Sequence, residues 1–494
     1  MPTTTDAHSR MNRRRVPRAA VVAILVIVAG FAPAAADDAT SGAAAPAEVE
    51  ALKRRIADLE AQIARLRQEM ARLGGGQASG TPAGPGSIET RIAALEREIA
   101  ALGASVPAPA AAGARAGAVP RSVNGFGPGA SRPFVAKRGL TFGGYGTGLY
   151  EKFTEHRDDD TDANVPNQAS LTEAFLYVGY RMDDHWVFDA SFGITDAVAG
   201  DGETGEATVE FAFIDYRWRR SLGARGGLVL MPLGFLNEQH EPNAWLGARR
   251  PEVETRIIPS TWREAGGGLY GEAGEAFAWR AYATTGLDAA GFDPATGVAG
   301  GRQQGAEANA TDIALSARVD WTPFRAEASG RLLAGASIVT GKTGQKNPGF
   351  PAGRFTLWEA HVDYSWHGLQ TRALYAQSIQ GDAGEISAAI DPGLTTVVGD
   401  RMKGWYFEIG YDVLEIAANT DQSVVPFCRY ESLNTQDEVA PGLTADPANA
   451  LTVKTCGVAW NPIRAIRVTF DAQNFDQEAH TAVDQVNLGL GWAF

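Results

Sequence analysis

Long apolar runs are missing from nearly the whole chain. After residue 36, no apolar stretch approaches the roughly 20 residues that a membrane-spanning helix needs. This absence excludes a protein that crosses a membrane with helices. It leaves a water-soluble protein or a β-barrel, whose strands alternate apolar and polar residues and have an unremarkable average hydropathy.

Cysteine and positive charge are also scarce. Two cysteines in 494 residues are too few for a disulfide-dense fold or a cysteine-rich zinc site. The formal net charge of −14 disfavours nucleic acid as a partner, because phosphate binding needs a basic face. No G-x-S-x-G turn or H-E-x-x-H helix is present, so we predict no enzyme, no catalytic residues, no metal site and no cofactor.

The first 36 residues have the pattern of an export signal. A basic region with Arg13 and Arg18 precedes the short apolar run 19–32, and Ala34-Ala35-Ala36 forms a small-residue cleavage site. We therefore predict a cleaved signal peptide at 1–36, with an uncleaved anchor as the alternative. Either Met1 or Met11 can be the start.

Heptad spacing follows the signal peptide in two segments within 47–102. Large apolar residues recur every three and four positions, the pattern of a coiled-coil seam. The first segment has Val49, Leu52, Ile56, Leu59, Ile63, Leu66, Met70 and Leu73, and the second has Ile88, Ile92, Leu95, Ile99 and Leu102. We predict a self-associating coiled coil, and the β-branched residues favour two strands. Residues 103–133 are rich in Ala, Gly and Pro and are predicted to be a linker.

From residue 134 to the end, the apolar period changes to two. The alternation is clear in 186–194, 313–321, 358–367, 466–473 and 486–494. Weaker candidates lie near 140–153, 171–183, 207–218, 226–236, 266–274, 277–287, 325–339, 369–380, 402–416, 424–434 and 449–461. The pattern predicts about 16 strands, an even number within the range of outer-membrane barrels.

A soluble β-sandwich would alternate in the same way, but three features favour a barrel in lipid. Strands end in aromatic residues such as Trp186, Trp321 and Trp366, as interface girdles require. The opposite face carries charges of both signs, which suits an aqueous lumen. The chain also ends on a strand with Phe494 on the apolar face. We predict an all-β transmembrane antiparallel barrel over 134–494, preceded by a short coiled-coil helix.

The segment 227–272 (GLVLMPLGFLNEQHEPNAWLGARRPEVETRIIPSTWREAGGGLYGE) is the most distinctive part of the chain. With the heptads and the closing VNLGLGWAF, it resembles the phosphate-selective porin O and P family over roughly residues 134–494. The resemblance implies a homotrimer of 16-stranded barrels, each narrowed by an inward-folded third loop. In that family an arginine ladder and a lysine cluster select anions, but no lysine cluster is found here.

Residues 237–265 form a long loop, and such loops are usually functional or disordered. We predict that it folds into the lumen as a constriction, because it contains large apolar residues such as Trp245 and Trp262. An exposed extracellular loop is the alternative. The candidate constriction residues are Arg249, Arg250, Arg256, Arg263, Glu252 and Glu254.

Strand parity also assigns charged side chains to the lumen. The candidates are Arg318, Arg331, Arg372, Arg467, Asp320, Glu359 and Asp363. Rings of charged groups set the selectivity of pores, and arginine binds phosphate through two parallel hydrogen bonds. Arginines and carboxylates are balanced, however, so arginine–carboxylate pairs that brace the barrel wall are an equal alternative.

Cys428 and Cys456 flank a loop centred near Gly442. A symmetric hairpin would place them opposite each other on neighbouring strands, and the periplasm is oxidising. We predict a disulfide, with two buried thiols as the alternative.

These observations predict a channel for passive diffusion of small polar or anionic solutes, including phosphate-like anions. Its location would be the outer membrane of a Gram-negative bacterium, with the coiled coil in the periplasm. The expected partners are membrane lipid, further copies of the chain and small solutes. The alternative is a structural anchor whose coiled coil tethers the barrel to the periplasm or cell wall.

Overall fold

The computed structural model describes residues 125–198, 205–326, 329–416 and 420–494, together with Arg55, Asp58, Gln62 and Arg65, four exposed residues of a helix. The signal peptide, the apolar seam of the predicted coiled coil and the linker up to residue 124 lie outside the described residues. Those predictions therefore stay predictions.

Within the described residues, a single antiparallel sheet contains sixteen long strands and one two-residue strand. Each long strand pairs with the next long strand in sequence, the short β9 pairs with β10, and β1 pairs with β17, which closes the sheet into a barrel. The strands are β1 Gly139–Phe153, β2 Gln168–Arg181, β3 Trp186–Thr195, β4 Ala207–Arg219, β5 Leu222–Leu230, β6 Arg263–Ala273, β7 Phe277–Thr285, β8 Ile313–Trp321, β9 Arg325–Ala326, β10 Gly330–Lys342, β11 Arg354–Trp366, β12 Leu369–Gln380, β13 Arg401–Tyr411, β14 Ser423–Glu438, β15 Ala450–Ile463, β16 Ile466–Gln477 and β17 Gln485–Ala493. The predicted barrel is confirmed.

Helices are short. The described part of the barrel contains α1 Arg132–Val135 and α2 Ala383–Ile390, 3-10 turns at Pro242–Ala244, Ala289–Gly291, Ala299–Gly301, Val413–Ile416 and Pro447–Asn449, and a π-helical turn at Val253–Ile257. Among the residues that the structure describes, no helix is both long and apolar enough to cross a membrane.

Connections at the two ends of the barrel differ in length. One end, the long-loop end, has the connections 154–167, 196–206, 231–262, 286–312, 343–353, 381–400, 439–449 and 478–484. The other, the short-turn end, includes the tight turns 220–221, 367–368 and 464–465. Outer-membrane barrels have short turns on the periplasmic side and longer loops outside. The connection 231–262 is the third at the long-loop end and is called loop 3 below.

The outer surface of the barrel is apolar, and the inner surface is polar over much of its length. In β8, exposed and buried residues alternate at every position, with Ile313 and Trp321 outward and Arg318 inward. The aromatic residues Trp186 and Trp366 are also outward and more than 40 % exposed. This arrangement is what a barrel in lipid requires, because apolar side chains face the hydrocarbon.

Several strand boundaries differ from the sequence prediction, and two of the differences concern the long loop. The predicted strand 226–236 ends at Leu230, because the apolar residues from Met231 onward pack inside the barrel instead of continuing the alternation. Loop 3 therefore spans 231–262 and not 237–265. Arg263, predicted within the loop, is the first residue of β6.

A disulfide joins Cys428 on β14 to Cys456 on β15, two residues that face each other in the strand register. Both residues are exposed on the outward face of the barrel. They are therefore not the buried thiols of the alternative reading.

We expect removal of this disulfide to lower barrel stability measurably. A bond that closes a loop with a sequence separation of 28 restricts the unfolded chain, and such loops are worth about 3 to 4 kcal/mol in the chain-entropy model. The measurement is the unfolding midpoint of Cys428→Ser/Cys456→Ser in detergent, with reduced wild type as control. Alkylation of two thiols in unreduced protein, detected by mass spectrometry, would contradict the assignment.

Candidate functional site

Loop 3 lies inside the barrel. Its side chains are mostly buried, and Leu236, Val253, Ile257 and Trp262 have no solvent exposure. A loop with this apolar content cannot remain in water at low cost, since each buried large apolar side chain contributes about 1.5–3 kcal/mol. The loop therefore folds inward, as the sequence pattern predicted.

A hydrophobic core lies inside the barrel near the long-loop end, mainly against the inner faces of β10–β15. It joins loop 3 to the loops 286–312 and 381–400 and to inward-facing strand residues. The wall residues of this core include Val339, Phe355, Leu357, Leu374, Met402, Tyr406, Leu433, Leu451 and Val453. The inward positions that form this core are therefore packed like a protein interior and do not face an aqueous lumen.

On the side of this core that faces the short-turn end, arginines from the barrel wall bind the backbone of loop 3. Arg372 donates a 2.7 Å hydrogen bond to the carbonyl of Ala244, and Arg467 donates one to the carbonyl of Trp245. Arg318 donates in the same way to Gly234. Buried carbonyls need donors, and a charged donor makes the stronger bond. The wall arginines thus fix the loop across the lumen.

The carboxylate of Glu254, itself a loop residue, binds backbone amides of loop 3. Glu254 is fully buried, and its Oε2 accepts hydrogen bonds of 2.8 Å from the amides of both Phe235 and Leu236. Its Oε1 accepts a 2.7 Å bond from the hydroxyl of Tyr406 on β13. Burial raises the pKa of the Glu254 carboxyl. One side chain therefore links the two arms of the loop and attaches both to the wall.

The other predicted constriction residues are held mostly in ion pairs. Arg249 lies 2.5 Å from Glu151 on β1, and Arg250 lies 2.8 Å from Glu173 on β2. Within the loop, Arg256 pairs with Glu252 at 2.8 Å.

Arg263 differs from these arginines. It is 8 % exposed and donates to Thr208, and its Nε has no hydrogen-bond partner. With Arg302 it lines a cavity of about 610 Å³ at the long-loop end. In the part of the chain that the structure describes, neither arginine has a carboxylate within 4 Å, but Glu206 lines the same cavity, so the positive charge at this entrance is only partly balanced.

Most predicted lumen residues pair with one another on the inner wall. Asp320 contacts Arg318 at 2.9 Å, and Asp363 contacts Arg331 at 2.7 Å and Arg372 at 3.0 Å. Arg467 bonds to Asn461 instead of a carboxylate.

Glu359 binds the ring of His361 at 2.8 Å. His361 in turn lies 3.2 Å from Asp320, so this acid–histidine pair joins the wall network. The alternating arginines and carboxylates brace the wall, and no uncompensated arginine row forms among these residues.

Sequence reasoning missed two arginines with central positions. Arg429 on β14 is 2 % exposed and pairs with Glu408 at 3.2 Å and Glu431 at 2.8 Å. Arg225 on β5 pairs with Asp215 through bonds of 2.8 and 2.9 Å. The signal was present for Arg429, since Glu431 two residues later lies on the same strand face. No local signal marked Arg225, which stands among glycines.

The segment 125–138 precedes β1, and most of its residues from 125 to 134 are buried inside the barrel. Phe126 is fully buried, and the Arg225 guanidinium lies 4.5 Å from the centre of its ring and 4.1 Å from that of Phe213. The amide of Gly129 donates a 2.8 Å bond to Glu241 of loop 3. The predicted linker 103–133 therefore has an ordered, packed end from residue 125. This segment touches the wall and loop 3 together.

A cavity of about 270 Å³ remains between loop 3 and the short-turn end. Its lining combines loop 3 residues, turn residues and four wall arginines. These residues include Phe235, Glu238, Glu272, Glu275, Arg280, Arg318, Asp320, Arg331, Asp363 and Arg372. The cavity is polar and charged, and it is large enough for several water molecules.

These features define a class: a closed transmembrane β-barrel of sixteen long strands whose third loop crosses the lumen. The chain is 30 % identical over 378 residues to an uncharacterized protein of Aquifex aeolicus (strain VF5), with 75 % of this chain and 83 % of that protein covered. The chain belongs to the same family as that protein. No family model matches the chain, and the resemblance to the porin O and P family stays a prediction.

Several solved structures are similar to this chain at low sequence identity. The outer membrane channel DcaP of Acinetobacter baumannii has a TM-score of 0.47 and 13 % identity, with 72 % of this chain and 97 % of that chain covered. OmpF of Salmonella typhi has a TM-score of 0.46 and 12 % identity, with coverage of 72 % and 98 %. OprB of Pseudomonas putida has a TM-score of 0.47 and 11 % identity, with coverage of 72 % and 94 %.

Proposed function

We propose that this protein is an outer-membrane channel for passive diffusion of small polar solutes, with loop 3 as its constriction. The observation that carries the proposal is the position of loop 3, which crosses a charged lumen and is fixed there by Glu254, Arg318 and Arg372. The export signal and the apolar outer face support an outer-membrane location. Association into a homotrimer is proposed from the family resemblance alone, since the heptads by themselves favour two strands.

The proposed selectivity is weak. Paired arginines and carboxylates along the wall cancel much of each other's field. Arg263 and Arg302, which share one entrance with the single described carboxylate Glu206, leave a small excess of positive charge there. Fields of separate charges are screened within about 8–10 Å at physiological salt, so an entrance charge acts mainly on ions that reach it. Anions, including phosphate-like ions, are admitted on this reading without strong preference.

The test is the reversal potential of the purified protein in a planar bilayer under a potassium chloride gradient. We expect conductance steps and an anion-to-cation permeability ratio within about a factor of three of unity. Arg263→Gln/Arg302→Gln should shift the ratio toward cations, and Arg219→Gln/Arg464→Gln, at exposed positions of the short-turn end, should not. A ratio far above ten in favour of anions would support a phosphate-selective pore instead.

A second candidate function is a structural anchor, and the hydrophobic core inside the barrel favours it. A barrel packed in this way can hold a periplasmic domain without conducting. In that case the folded protein would show no conductance steps, and deletion of residues 47–102 would weaken the cell envelope while solute uptake stayed unchanged.

A further inference from the structure

Five basic side chains point outward at the long-loop ends of the strands. They lie on β1, β10, β11, β13 and β15 and are all exposed. They are Lys152, Lys342, Arg354, Lys403 and Lys454, here called the basic arc. Outward positions at this end of β2–β8 carry no lysine or arginine among the described residues. The outward basic side chains at this end therefore lie on one half of the circumference, where Asp476 on β16 is an outward, exposed carboxylate near Lys454.

The strand register places the basic arc at one height in the membrane. Lys342 on β10 and Arg354 on β11 are direct register partners. The row of paired residues that starts at Lys342 can be followed through eight strand pairings to β1, and Lys152 lies about ten residues from that row, on the side of the short-turn end. In a barrel whose strands are tilted by roughly 35–45°, a row of paired residues shifts by about 1 to 1.5 residues per strand relative to a constant height in the membrane. This shift accounts for the offset of Lys152. All five residues therefore lie within about 8 Å of one level.

An aromatic belt lies directly below the basic arc. Its outward residues either lie two to four residues from an arc residue on the same strand, toward the short-turn end, or lie on a neighbouring strand next to such a residue. The belt consists of Tyr150, Trp358, Tyr375, Trp405 and Tyr430. The rings of Trp358 and Tyr375 are 5.3 Å apart, and those of Trp405 and Tyr430 are 5.4 Å apart. Aromatic belts mark the headgroup level of a bilayer, so the arc lies where lipid phosphates begin.

Charge at the centre of the arc is not compensated within the protein. Lys342 and Arg354 face each other across β10 and β11, and neither has a carboxylate within 4 Å in the described part of the chain. Like charges directly opposite on neighbouring strands are destabilising. Lys403, by contrast, is held 2.6 Å from Asp437. An anion between Lys342 and Arg354 would remove the repulsion.

We propose that the basic arc binds the phosphate groups of a glycolipid of the lipopolysaccharide class in the external leaflet. The long-loop end is the external end of such barrels, and a phosphorylated glycolipid presents clustered negative charge at the level of the arc. The inference rests on the proposed outer-membrane location and is independent of conduction.

The test compares Lys342→Gln/Arg354→Gln with the control Arg219→Gln/Arg464→Gln, which removes two exposed charges at the short-turn end. Each folded protein in detergent is titrated with purified diphosphorylated lipid A, and bound lipid is counted by native mass spectrometry. We expect the arc variant to bind on the order of tenfold more weakly, because each basic residue near an anionic surface contributes about tenfold or less. The control and the conservative Lys342→Arg/Arg354→Lys variant should bind like wild type.

Two further arms identify the ligand. Dephosphorylated lipid A and phosphatidylglycerol should both bind weakly to wild type. Equal binding of lipid A by the arc variant and wild type would overturn the proposal, as would binding of phosphatidylglycerol as tight as that of lipid A. Conductance in phosphatidylcholine bilayers should be the same for the arc variant and wild type, so failure of the channel proposal is recorded separately.

Discussion

Replacement of Glu254 by alanine is expected to raise the conductance of the barrel severalfold and to lower its free energy of unfolding. The substitution leaves the amides of Phe235 and Leu236 and the hydroxyl of Tyr406 without their acceptor. Buried groups without partners cost about 1–3 kcal/mol each, so a loss of about 3 to 9 kcal/mol is expected for the three groups. Loop 3 would then leave its position across the lumen for part of the time.

Single-channel recording and the unfolding midpoint in detergent measure the two effects. Tyr406→Phe is the matched control, because it removes one of the three hydrogen bonds and leaves the carboxylate bound to both amides. Its conductance should stay near that of wild type. A less stable Glu254→Ala barrel with unchanged conductance would show that loop 3 braces the wall without limiting flow.

Replacement of Arg225 by alanine is expected to release the segment 125–138 from the lumen. The guanidinium donates two hydrogen bonds to buried Asp215 and lies against the ring of Phe126. Its removal leaves the Asp215 carboxylate buried without its partner and leaves a cavity beside the ring. Loss of one member of a buried pair typically costs about 3–5 kcal/mol. The free segment should exchange its backbone hydrogens quickly and enlarge the lumen beside β5.

Hydrogen exchange of the peptides that cover 125–138 measures this release. Arg331→Ala serves as control, since it breaks a lumen ion pair with Asp363 of similar length, 2.7 Å, at a site that the segment does not touch. Arg225→Lys should show intermediate exchange, because an ammonium retains the charge but not the flat stacking surface. Slow exchange at 125–138 in Arg225→Ala would mean that loop 3 alone holds the segment.

Strand positions were predictable because alternation is a local property. Trp321 and Arg318 differ in parity along one strand, and a closed sheet in lipid has only one way to orient them. The inward folding of loop 3 was predictable for a similar reason, since Trp245, Ile257 and Trp262 are too apolar for a solvated loop. The ends of strands were harder to predict. The residues after Leu230 are as apolar as those of β5, but they no longer alternate with polar residues.

Long-range partners were not predictable from the sequence. Arg467 holds the carbonyl of Trp245 across 222 positions, and Tyr406 holds Glu254 across 152. Such pairs depend on the shear of the barrel and on how far the loop reaches across it. The packed end of the predicted linker has the same origin, because Phe126 finds its partners only after β4 and β5 are in register.

The sequence alone determined which side chains of each strand face lipid and which face inward, because a period of two and the apolarity of the bilayer leave no other arrangement. Tertiary structure decided what fills the inside. Loop 3, the segment 125–138 and the inward apolar residues near the long-loop end meet only when sixteen strands close, and only then do Arg225, Arg318 and Arg372 acquire the carboxylates or carbonyls that hold them.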